Sequence, residues 1–309
     1  MTQVEYVGID ASREGQRLDN FLVARLKGVP KSVIYRILRT GQVRVNKGRV
    51  KPGYKLRAGD EVRIPPLSIA APDTVLENDA QRVAQMVGAA ILYENEDFMV
   101  INKPSGLAVH GGSGLRYGLI EALHACPPYA NVELVHRLDR GTSGCLLLAK
   151  HRSALRELHE LLRKHEIDKT YLALVSGRFS AGSLTVDAPL DRGRLKGGER
   201  MAVVSDTGKA AYTSIRVVEH FPQAQASLVE VRIDTGRTHQ IRVHCAAQGH
   251  PLAGDDKYGD RDFNRRMRKL GLHRIFLHAA RLRFDRGGRP FEITAPLNSE
   301  LSNIINALK

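Results

Sequence analysis

One short segment of the chain combines residue types that acid–base or nucleophilic chemistry requires. In His136-Arg137-Leu138-Asp139-Arg140-Gly141-Thr142-Ser143-Gly144, two arginines flank a carboxylate, and an apolar run over residues 145–149 follows. A charged loop that leads into a buried strand holds its side chains on a rigid base, where catalytic groups often lie. From this loop alone, however, a carboxylate that caps the turn with its Thr and Ser neighbours is the stronger interpretation.

Other familiar kinds of site have little support. The chain has neither a GxxxxGK[ST] loop nor a GxGxxG motif after a strand, so nothing predicts a nucleotide cofactor. His239, His244 and His250 lack the i, i+4 spacing that puts two metal ligands on one helical face. The glycine-rich residues 110–114 are more typical of a flexible turn than of a phosphate cradle. We therefore expect neither a cofactor nor a metal.

The charge of the chain indicates a polyanionic partner. Of the net +14, residues 1–66 contribute 14 Lys+Arg against 6 Asp+Glu, whereas the rest of the chain has 33 against 27. Such a basic module suits nucleic acid or an anionic membrane face, although charge alone leaves a merely basic surface open. No apolar run is long enough to span a bilayer, and no secretory leader is visible. Three separated cysteines without a CxxC pair fit a reducing cytosol, so we expect a cytoplasmic protein.

The first 66 residues are predicted to form a small α+β domain. Leu18, Phe21 and Leu22 recur at helical spacing, and a second helix is expected over residues 33–39. A strand-turn-strand pattern around Asn46-Lys47-Gly48 and a closing strand over 61–64 follow. The pattern resembles the RNA-binding domain named after ribosomal protein S-four, which implies salt-dependent phosphate contacts. The basic residues expected to bind RNA are Lys31, Arg36, Arg39, Arg44, Lys47 and Arg49.

A linker over residues 67–88 and a larger domain over 89–309 complete the predicted organisation. Strands and helices mix without regular βαβ alternation, which is typical of the α+β class. The Gly- and Arg-rich residues 191–199 predict a solvent loop. Strands are expected over residues 91–93, 98–102, 145–149, 171–176, 228–233 and 275–284, and helices over 154–164 and 238–249.

Blocks of residues across this larger domain resemble the RluA-type family of pseudouridine synthases, which isomerise uridine in RNA. The resemblance includes Asn102-Lys103-Pro104-Ser105-Gly106, the segment around Asp139, Lys169-Thr170-Tyr171-Leu172-Ala173, and Thr235-Gly236-Arg237-Thr238-His239-Gln240-Ile241-Arg242-Val243-His244. It continues through Asp256-Lys257-Tyr258-Gly259 and Phe276-Leu277-His278-Ala279. The blocks occur in order over residues 90–300. The resemblance implies a pseudouridine synthase fold with a mixed, largely antiparallel central sheet.

The resemblance also implies a role for individual residues. Asp139 matches the catalytic carboxylate, and Arg242 matches the arginine expected to pair with it through a bidentate contact. Tyr171 matches the aromatic that stacks on the target base, with its hydroxyl a candidate for proton transfer. Arg137 matches the arginine that fills the space left by the everted nucleotide. Ile241 and Leu277 are weaker candidates for the apolar wall of the base pocket.

The function implied is isomerisation of three uridines in 23S rRNA without a cofactor. We expect a monomer, which is the default when one RNA site is bound at a time. Because a glycosidase uses two carboxylates and only Asp139 is singled out, retention of the base is favoured over hydrolysis. The alternatives are the same chemistry on another rRNA or tRNA uridine, a non-catalytic RNA-binding ribosome assembly factor, and a nucleoside hydrolase. Mapping of pseudouridines in a deletion strain distinguishes the 23S rRNA sites from another rRNA or tRNA target. Release of free uracil would reveal a nucleoside hydrolase.

Overall fold

A computed structural model describes residues 3–26, 29, 31–67, 85–111, 118–179, 182–196 and 199–309. The chain divides into two compact units, Met1–Glu77 and Asn78–Lys309. Most of the predicted linker, part of the glycine-rich loop and the side chain of Lys31 lie outside the described residues. Within the described part, no helix combines the length and apolarity needed to cross a bilayer.

The first unit packs two helices against a small antiparallel sheet. Helices α1 (Leu18–Arg25) and α2 (Lys31–Arg39) follow a 3₁₀ turn, and strand order is β1-β3-β2 for β1 (Glu5–Gly8), β2 (Arg44–Val45) and β3 (Glu61–Ile64). The predicted helical spacing is confirmed, because the apolar residues of α1 and α2 are buried in a single core. The core includes Leu18, Phe21, Leu22, Ile34, Ile37 and Val62.

The predicted hairpin around Asn46 is only partly correct. Asn46 and Lys47 take positive φ angles of 48° and 64°, and Val45 bridges Gly48, so the tight turn is present. Residues 48–60, which the structure describes throughout, form no strand after the turn, and β2 pairs with β3 instead. The reason is the Asn46 side chain, whose Nδ2 donates to Asp60 (2.8 Å) while its Oδ1 accepts from the amide of Glu61 (2.9 Å). These bonds hold the turn against β3.

The second unit is organised around a mixed sheet of ten strands. Its main path runs β4-β5-β7-β14-β8-β13-β12-β9, with β15 beside β14 and β6 beside β7. All its neighbours are antiparallel except β7 and β14, which confirms the expected mixed, largely antiparallel sheet. The strands are β4 (Ile91–Glu94), β5 (Phe98–Lys103), β6 (Glu133–Leu134), β7 (Ser143–Ala149), β8 (Ile167–Ser176), β9 (Ser183–Asp187), β12 (Tyr212–Phe221), β13 (Ala226–Ile233), β14 (Leu277–Arg286) and β15 (Arg289–Thr294).

Helices and a separate hairpin complete this unit. The helices are α3 (Leu119–His124), α4 (Arg152–Arg163), α5 (Gln240–Ala247), α6 (Arg261–Lys269) and α7 (Ser299–Leu308). The solvent loop predicted over residues 191–199 is wrong, because β10 (Leu190–Lys196) pairs with β11 (Glu199–Val204) in a two-stranded sheet. All six strands and both helices predicted for this unit are confirmed in position, with shifts at their ends.

Three central strands of the large sheet bring the candidate residues together. The loop that carries Asp139 leads into β7, which pairs with β14, and β14 pairs on its other side with β8, the strand of Tyr171. Gly144 has a φ of +108°, and a Cβ there would lie 2.2 Å from the carbonyl oxygen of Ala279. Only glycine permits this approach of β7 to β14. Tyr171 lies opposite the same Ala279.

Candidate active site

The loop that carries Asp139 is fixed by hydrogen bonds on both sides. Before it, the amide of Leu147 donates to Nε2 of His136 (3.1 Å). Burial lowers the pKa of His136 to about 3, so this ring is a neutral acceptor at physiological pH. After it, the hydroxyl of Ser105 donates to the carbonyl of Gly141 (2.7 Å), and the amide of Gly106 donates to the carbonyl of Arg140 (2.8 Å).

The carboxylate of Asp139 does not cap this turn. The amide of Thr142 donates to the backbone carbonyl of Asp139 (3.0 Å) rather than to its side chain. Among the described residues, the Asp139 carboxylate instead faces Nη1 of Arg242 at 3.6 Å and Nε2 of His239 at 3.9 Å, from α5 and the residue before it. Its side chain is 26% exposed, so it remains open to a substrate. The turn-capping interpretation is therefore wrong.

Arg242 forms its bidentate pair with Asp255, not with Asp139 as predicted. Nε and Nη2 of Arg242 each donate to one oxygen of Asp255, both at 2.7 Å, and the Asp255 side chain is fully buried. The bidentate pair uses the guanidinium edge formed by Nε and Nη2, so only Nη1 is left to approach Asp139. Asp255 also accepts from the amides of Lys257 (2.9 Å) and Tyr258 (3.1 Å). Arg242 is thus anchored to the loop after α5.

Electrostatics keep this ion pair charged. Burial alone would raise the pKa of Asp255, but the hydrogen bonds and charge of Arg242 hold it below its ordinary value. Burial likewise opposes the charge of Arg242, yet its bonds to Asp255, and then the charges of Asp255 and Asp139, raise its pKa. Asp255 already balances the positive charge of Arg242. Arg242 therefore offers Asp139 a hydrogen-bond donor in a fixed position rather than an unbalanced positive charge.

His239 is a residue of the site that the sequence considered only as a metal ligand. It takes the left-handed conformation (φ 56°) ahead of α5, with Nδ1 2.9 Å from the hydroxyl of Tyr258. That hydroxyl also accepts from the amide of Ala202 (2.8 Å) on β11. Burial lowers the pKa of His239, Asp139 opposes this shift, and Arg242 and Lys257 add to it. Among the described residues, no group of three His, Cys, Asp or Glu side chains could hold a metal.

Tyr171 lies on β8 with 5% of its surface exposed. Burial raises the pKa of its hydroxyl well above the ordinary value, and the negative charge of Asp139 raises it further. The hydroxyl therefore stays protonated at neutral pH. Ile241 and Leu277, predicted as pocket walls, are buried in the same apolar core as Tyr171.

Lys103 has a buried amine next to the loop. Its Nζ donates to the carbonyls of Pro104 and Leu107, both at 2.9 Å, and more weakly to that of Arg140 (3.4 Å). Burial lowers its pKa to about 7, with a further decrease from Arg274 and an opposing contribution from Asp139. Lys103 belongs to one of the blocks that resemble the family, Asn102-Lys103-Pro104-Ser105-Gly106, but the sequence predicts no role for it. Its bonds hold residues 104–107 against the Asp139 loop.

A chain of hydrogen bonds supports the other side of the loop. Nη2 of Arg274 donates to the hydroxyl of Ser143 (2.8 Å) and to the carbonyls of Leu277 (3.1 Å) and Gly141 (3.3 Å). Ser143 can then donate to Nδ1 of His278 (2.8 Å), whose Nε2 donates to the carbonyl of Ala295 (3.0 Å). Burial lowers the pKa of His278, consistent with the neutral ring that this direction requires.

The predicted RNA-binding residues are exposed wherever their side chains are described. Arg137 lies at the surface of the Asp139 loop. In the first unit, Nη2 of Arg49 donates to the carbonyl of Thr40 just after α2 (2.8 Å), and Arg44 donates to the carbonyl of Lys47 (3.3 Å). The turn after β2 and the end of α2 are therefore neighbours. The exposed members of the set are Arg36, Arg39, Arg44, Lys47 and Arg49.

The site thus consists of a partly exposed carboxylate, in the loop before one central strand of a mixed sheet, that faces an anchored arginine. The family model "RNA pseudouridylate synthase" matches residues 97–247, and the S4 domain model matches residues 16–62. The chain therefore belongs to the RNA pseudouridylate synthase family, as an RluA-type member with an S4 domain.

Relatives and solved structures agree with this assignment. Ribosomal large subunit pseudouridine synthase C of Escherichia coli K12 is 52% identical over 312 residues, covering 99% of this chain and 97% of that protein. The protein of the same name from Yersinia pestis is 50% identical over 309 residues, with 99% and 96% covered. The structure of human RNA pseudouridylate synthase domain containing 4 superposes with a TM-score of 0.62 at 25% identity, covering 75% of this chain and 97% of that one.

Proposed function

We propose that the chain converts uridines of large-subunit rRNA to pseudouridine, with Asp139 as the catalytic carboxylate. The observation that carries the proposal is the setting of that side chain: it is partly exposed, free of a turn-capping role, and faces an arginine held in place by Asp255. The two relatives at about half identity are named for this substrate. By the same resemblance, the targets are uridines 955, 2504 and 2580 of 23S rRNA.

The reaction breaks the bond between C1′ and N1, turns the uracil and joins C1′ to C5. C5 loses a proton and N1 takes one up, so the net change is an isomerisation. It requires a nucleophile or base held against the sugar or ring, and an ionised carboxylate serves either purpose. Arg242, at 3.6 Å, keeps Asp139 oriented without burying it in a closed salt bridge. The uracil must stay in the site while it is detached, which suits a pocket floored by Tyr171.

The remaining roles follow from position and charge. The Tyr171 ring stacks on the uracil, and its hydroxyl, protonated at neutral pH, acts as a donor rather than a base. Eversion of the nucleotide costs a few kcal/mol, and Arg137, at the loop surface, fills the vacated stack. Arg242 is the residue that positions Asp139. Ile241 and Leu277, buried in the same core as Tyr171, form the apolar wall of the base pocket.

The proposal extends to the organisation of the chain. We assign residues 1–66 to RNA binding, 67–88 to a linker and 89–309 to catalysis, in a cytoplasmic monomer. In the first domain, Lys31, Arg36, Arg39, Arg44, Lys47 and Arg49 contact the phosphate backbone. Contacts of this kind give affinity that decreases steeply with salt but little choice of sequence.

Pseudouridine mapping in a strain that lacks its own copy of this gene tests the proposal. Complementation with the wild-type chain should restore the modification at the three sites. Complementation with Asp139→Asn should restore none, whereas the exposed control Asp168→Asn should restore all three. Restoration by Asp139→Asn, modification at other RNAs only, or release of free uracil by the purified chain would each contradict the proposal.

A further inference from the structure

A basic cleft lies beside the candidate active site, between α6 and the loop that anchors Arg242. It has a volume of about 450 Å³, and its cationic lining comes from Lys257, Arg261, Arg265 and Arg268. Two acidic side chains, Asp255 and Asp256, also line it, and Asp255 is already paired with Arg242 outside the four lining cations. The cleft is therefore an electropositive depression large enough for a phosphodiester group and its neighbours.

The sequence of α6 explains why its cations face outward. In Arg261-Asp262-Phe263-Asn264-Arg265-Arg266-Met267-Arg268-Lys269, only Phe263 and Met267 are buried, and both belong to one apolar cluster. Arg261, Arg265 and Arg268 follow the i, i+4, i+7 spacing of a second face, which lines the cleft. Arg266 and Lys269 lie on a third face, away from the cleft lining. The helix thus divides five cations between two exposed faces.

Helix stability does not explain the position of Arg261. Asp260 caps α6 by accepting from the amide of Phe263 (2.7 Å), which places Arg261 in the first turn. A positive charge there is unfavourable toward the helix dipole. Two arginines of the cleft form exposed ion pairs, Arg265 with Asp262 at 2.7 Å and Arg268 with Asp256 at 3.9 Å, and such pairs are weak. These arginines can therefore turn to an incoming anion at little cost.

The cleft is joined to the active site through rigid contacts. Asn264 of α6 donates from Nδ2 to the carbonyl of Asp255 (2.9 Å) and accepts from the amide of Gly254 (2.7 Å). Asp255 in turn holds Arg242, which faces Asp139. Lys257, which lines the cleft, is also close enough to His239 to lower its pKa. One short loop therefore connects α6 with the candidate catalytic carboxylate.

We propose that this cleft binds the phosphodiester backbone of the RNA strand next to the target uridine. The inference rests on the proposed function for the identity of the strand. Arg261, Arg265 and Arg268 contact phosphates from the helix, and Lys257 contacts them from the loop. Because α6 and Arg242 share the same anchor, phosphates held here fix the position of the everted nucleotide relative to Asp139.

A matched pair of double variants tests the cleft. Arg261→Gln/Arg268→Gln removes two cations from the cleft face, and Arg266→Gln/Lys269→Gln removes two from the other exposed face of the same helix. The Kd for an unmodified 23S rRNA transcript is measured by filter binding across a salt series, with a thermal melt of each full-length variant. Each phosphate contact contributes about 0.7–0.9 to the slope of log K against log salt.

The cleft variant should bind about tenfold more weakly at low salt, with a slope reduced by about 1.5. The control should stay within about twofold of wild type, and both should melt like wild type. Equal losses in the two variants, or an unchanged Kd and slope in the cleft variant, would overturn the proposal. The binding comparison needs no turnover. If the wild-type chain binds the transcript but forms no pseudouridine, the proposed function is wrong. The Kd values of the two variants still show whether the cleft binds the RNA backbone.

Discussion

The buried pair between Arg242 and Asp255 gives the sharpest test of how the site is built. Asp255→Asn keeps the shape of a fully buried side chain but removes its charge, which leaves Arg242 without its main partner. Removal of one member of a buried ion pair costs about 3–5 kcal/mol. Because the asparagine oxygen can still accept one of the bonds, we expect about 3 kcal/mol. At about 2–4 °C per kcal/mol for a domain of this size, Tm should fall by about 6–12 °C at pH 7.

The pH dependence of this effect has a defined sign. Arg242 holds the folded-state pKa of Asp255 below its ordinary value. The stabilisation is therefore fully present above the unfolded pKa of about 3.9 and is lost as pH falls through the folded pKa. The Tm difference between wild type and Asp255→Asn should be constant from pH 5 to 7 and shrink only below about pH 4.

The adjacent Asp256 provides a matched control, because its side chain is 85% exposed. Asp256→Asn should change stability by less than about 0.5 kcal/mol. Scanning calorimetry of both variants measures the effect, and a single-turnover assay on 23S rRNA should show slower turnover only for Asp255→Asn. If Asp255→Asn melts within 1 °C of wild type at pH 7, Asp255 does not anchor Arg242 as described.

Three further predictions concern the strands and the buried groups around the site. Gly144→Ala should lower the stability of the catalytic domain by at least about 3 kcal/mol, because its Cβ would lie 2.2 Å from the Ala279 carbonyl; an unchanged melt would show that β7 and β14 are not so close. Lys103 has a folded pKa of about 7 against about 10.4 unfolded, so the unfolded chain binds more protons between these values. In urea denaturation, the free energy of unfolding of wild type should therefore increase relative to that of Lys103→Met by up to about 1.4 kcal/mol per pH unit above pH 7. A difference that does not depend on pH would refute the low pKa. Tyr171→Phe should lower kcat at least about tenfold with little change in KM. An unchanged kcat would show that the hydroxyl takes no part in proton transfer.

The sequence predicted the central sheet well because its strands are apolar runs. Residues 145–149 and 228–233 are buried over most of their length, so their composition alone indicates strands within a layered core. Strand β10 has no such run, because its sequence LDRGRLK is dominated by charges and a glycine that are typical of a loop. Helix α6 has only Phe263 and Met267 as apolar residues, too few for its periodicity to stand out.

The candidate site shows a different limit. Resemblance predicted that Asp139, Tyr171 and Arg242 share one site. In the structure Arg242 lies 3.6 Å from Asp139, and the charge of Asp139 raises the pKa of Tyr171. The partner of Arg242 could not be predicted, because a bidentate contact depends on the path of the loop after α5. Asp255 directly precedes the block Asp256-Lys257-Tyr258-Gly259, and the resemblance implied no role for it. His239 was considered only at the spacing of a metal ligand, although its place three residues before Arg242 was a usable signal.

The central claim, that Asp139 is the catalytic carboxylate, is tested most directly by single-turnover kinetics of Asp139→Asn. Enzyme in excess over unmodified 23S rRNA separates chemistry from product release, and a parallel Kd measurement reports binding. We expect wild-type affinity and no detectable pseudouridine. Formation of pseudouridine by Asp139→Asn at the wild-type rate would contradict the account.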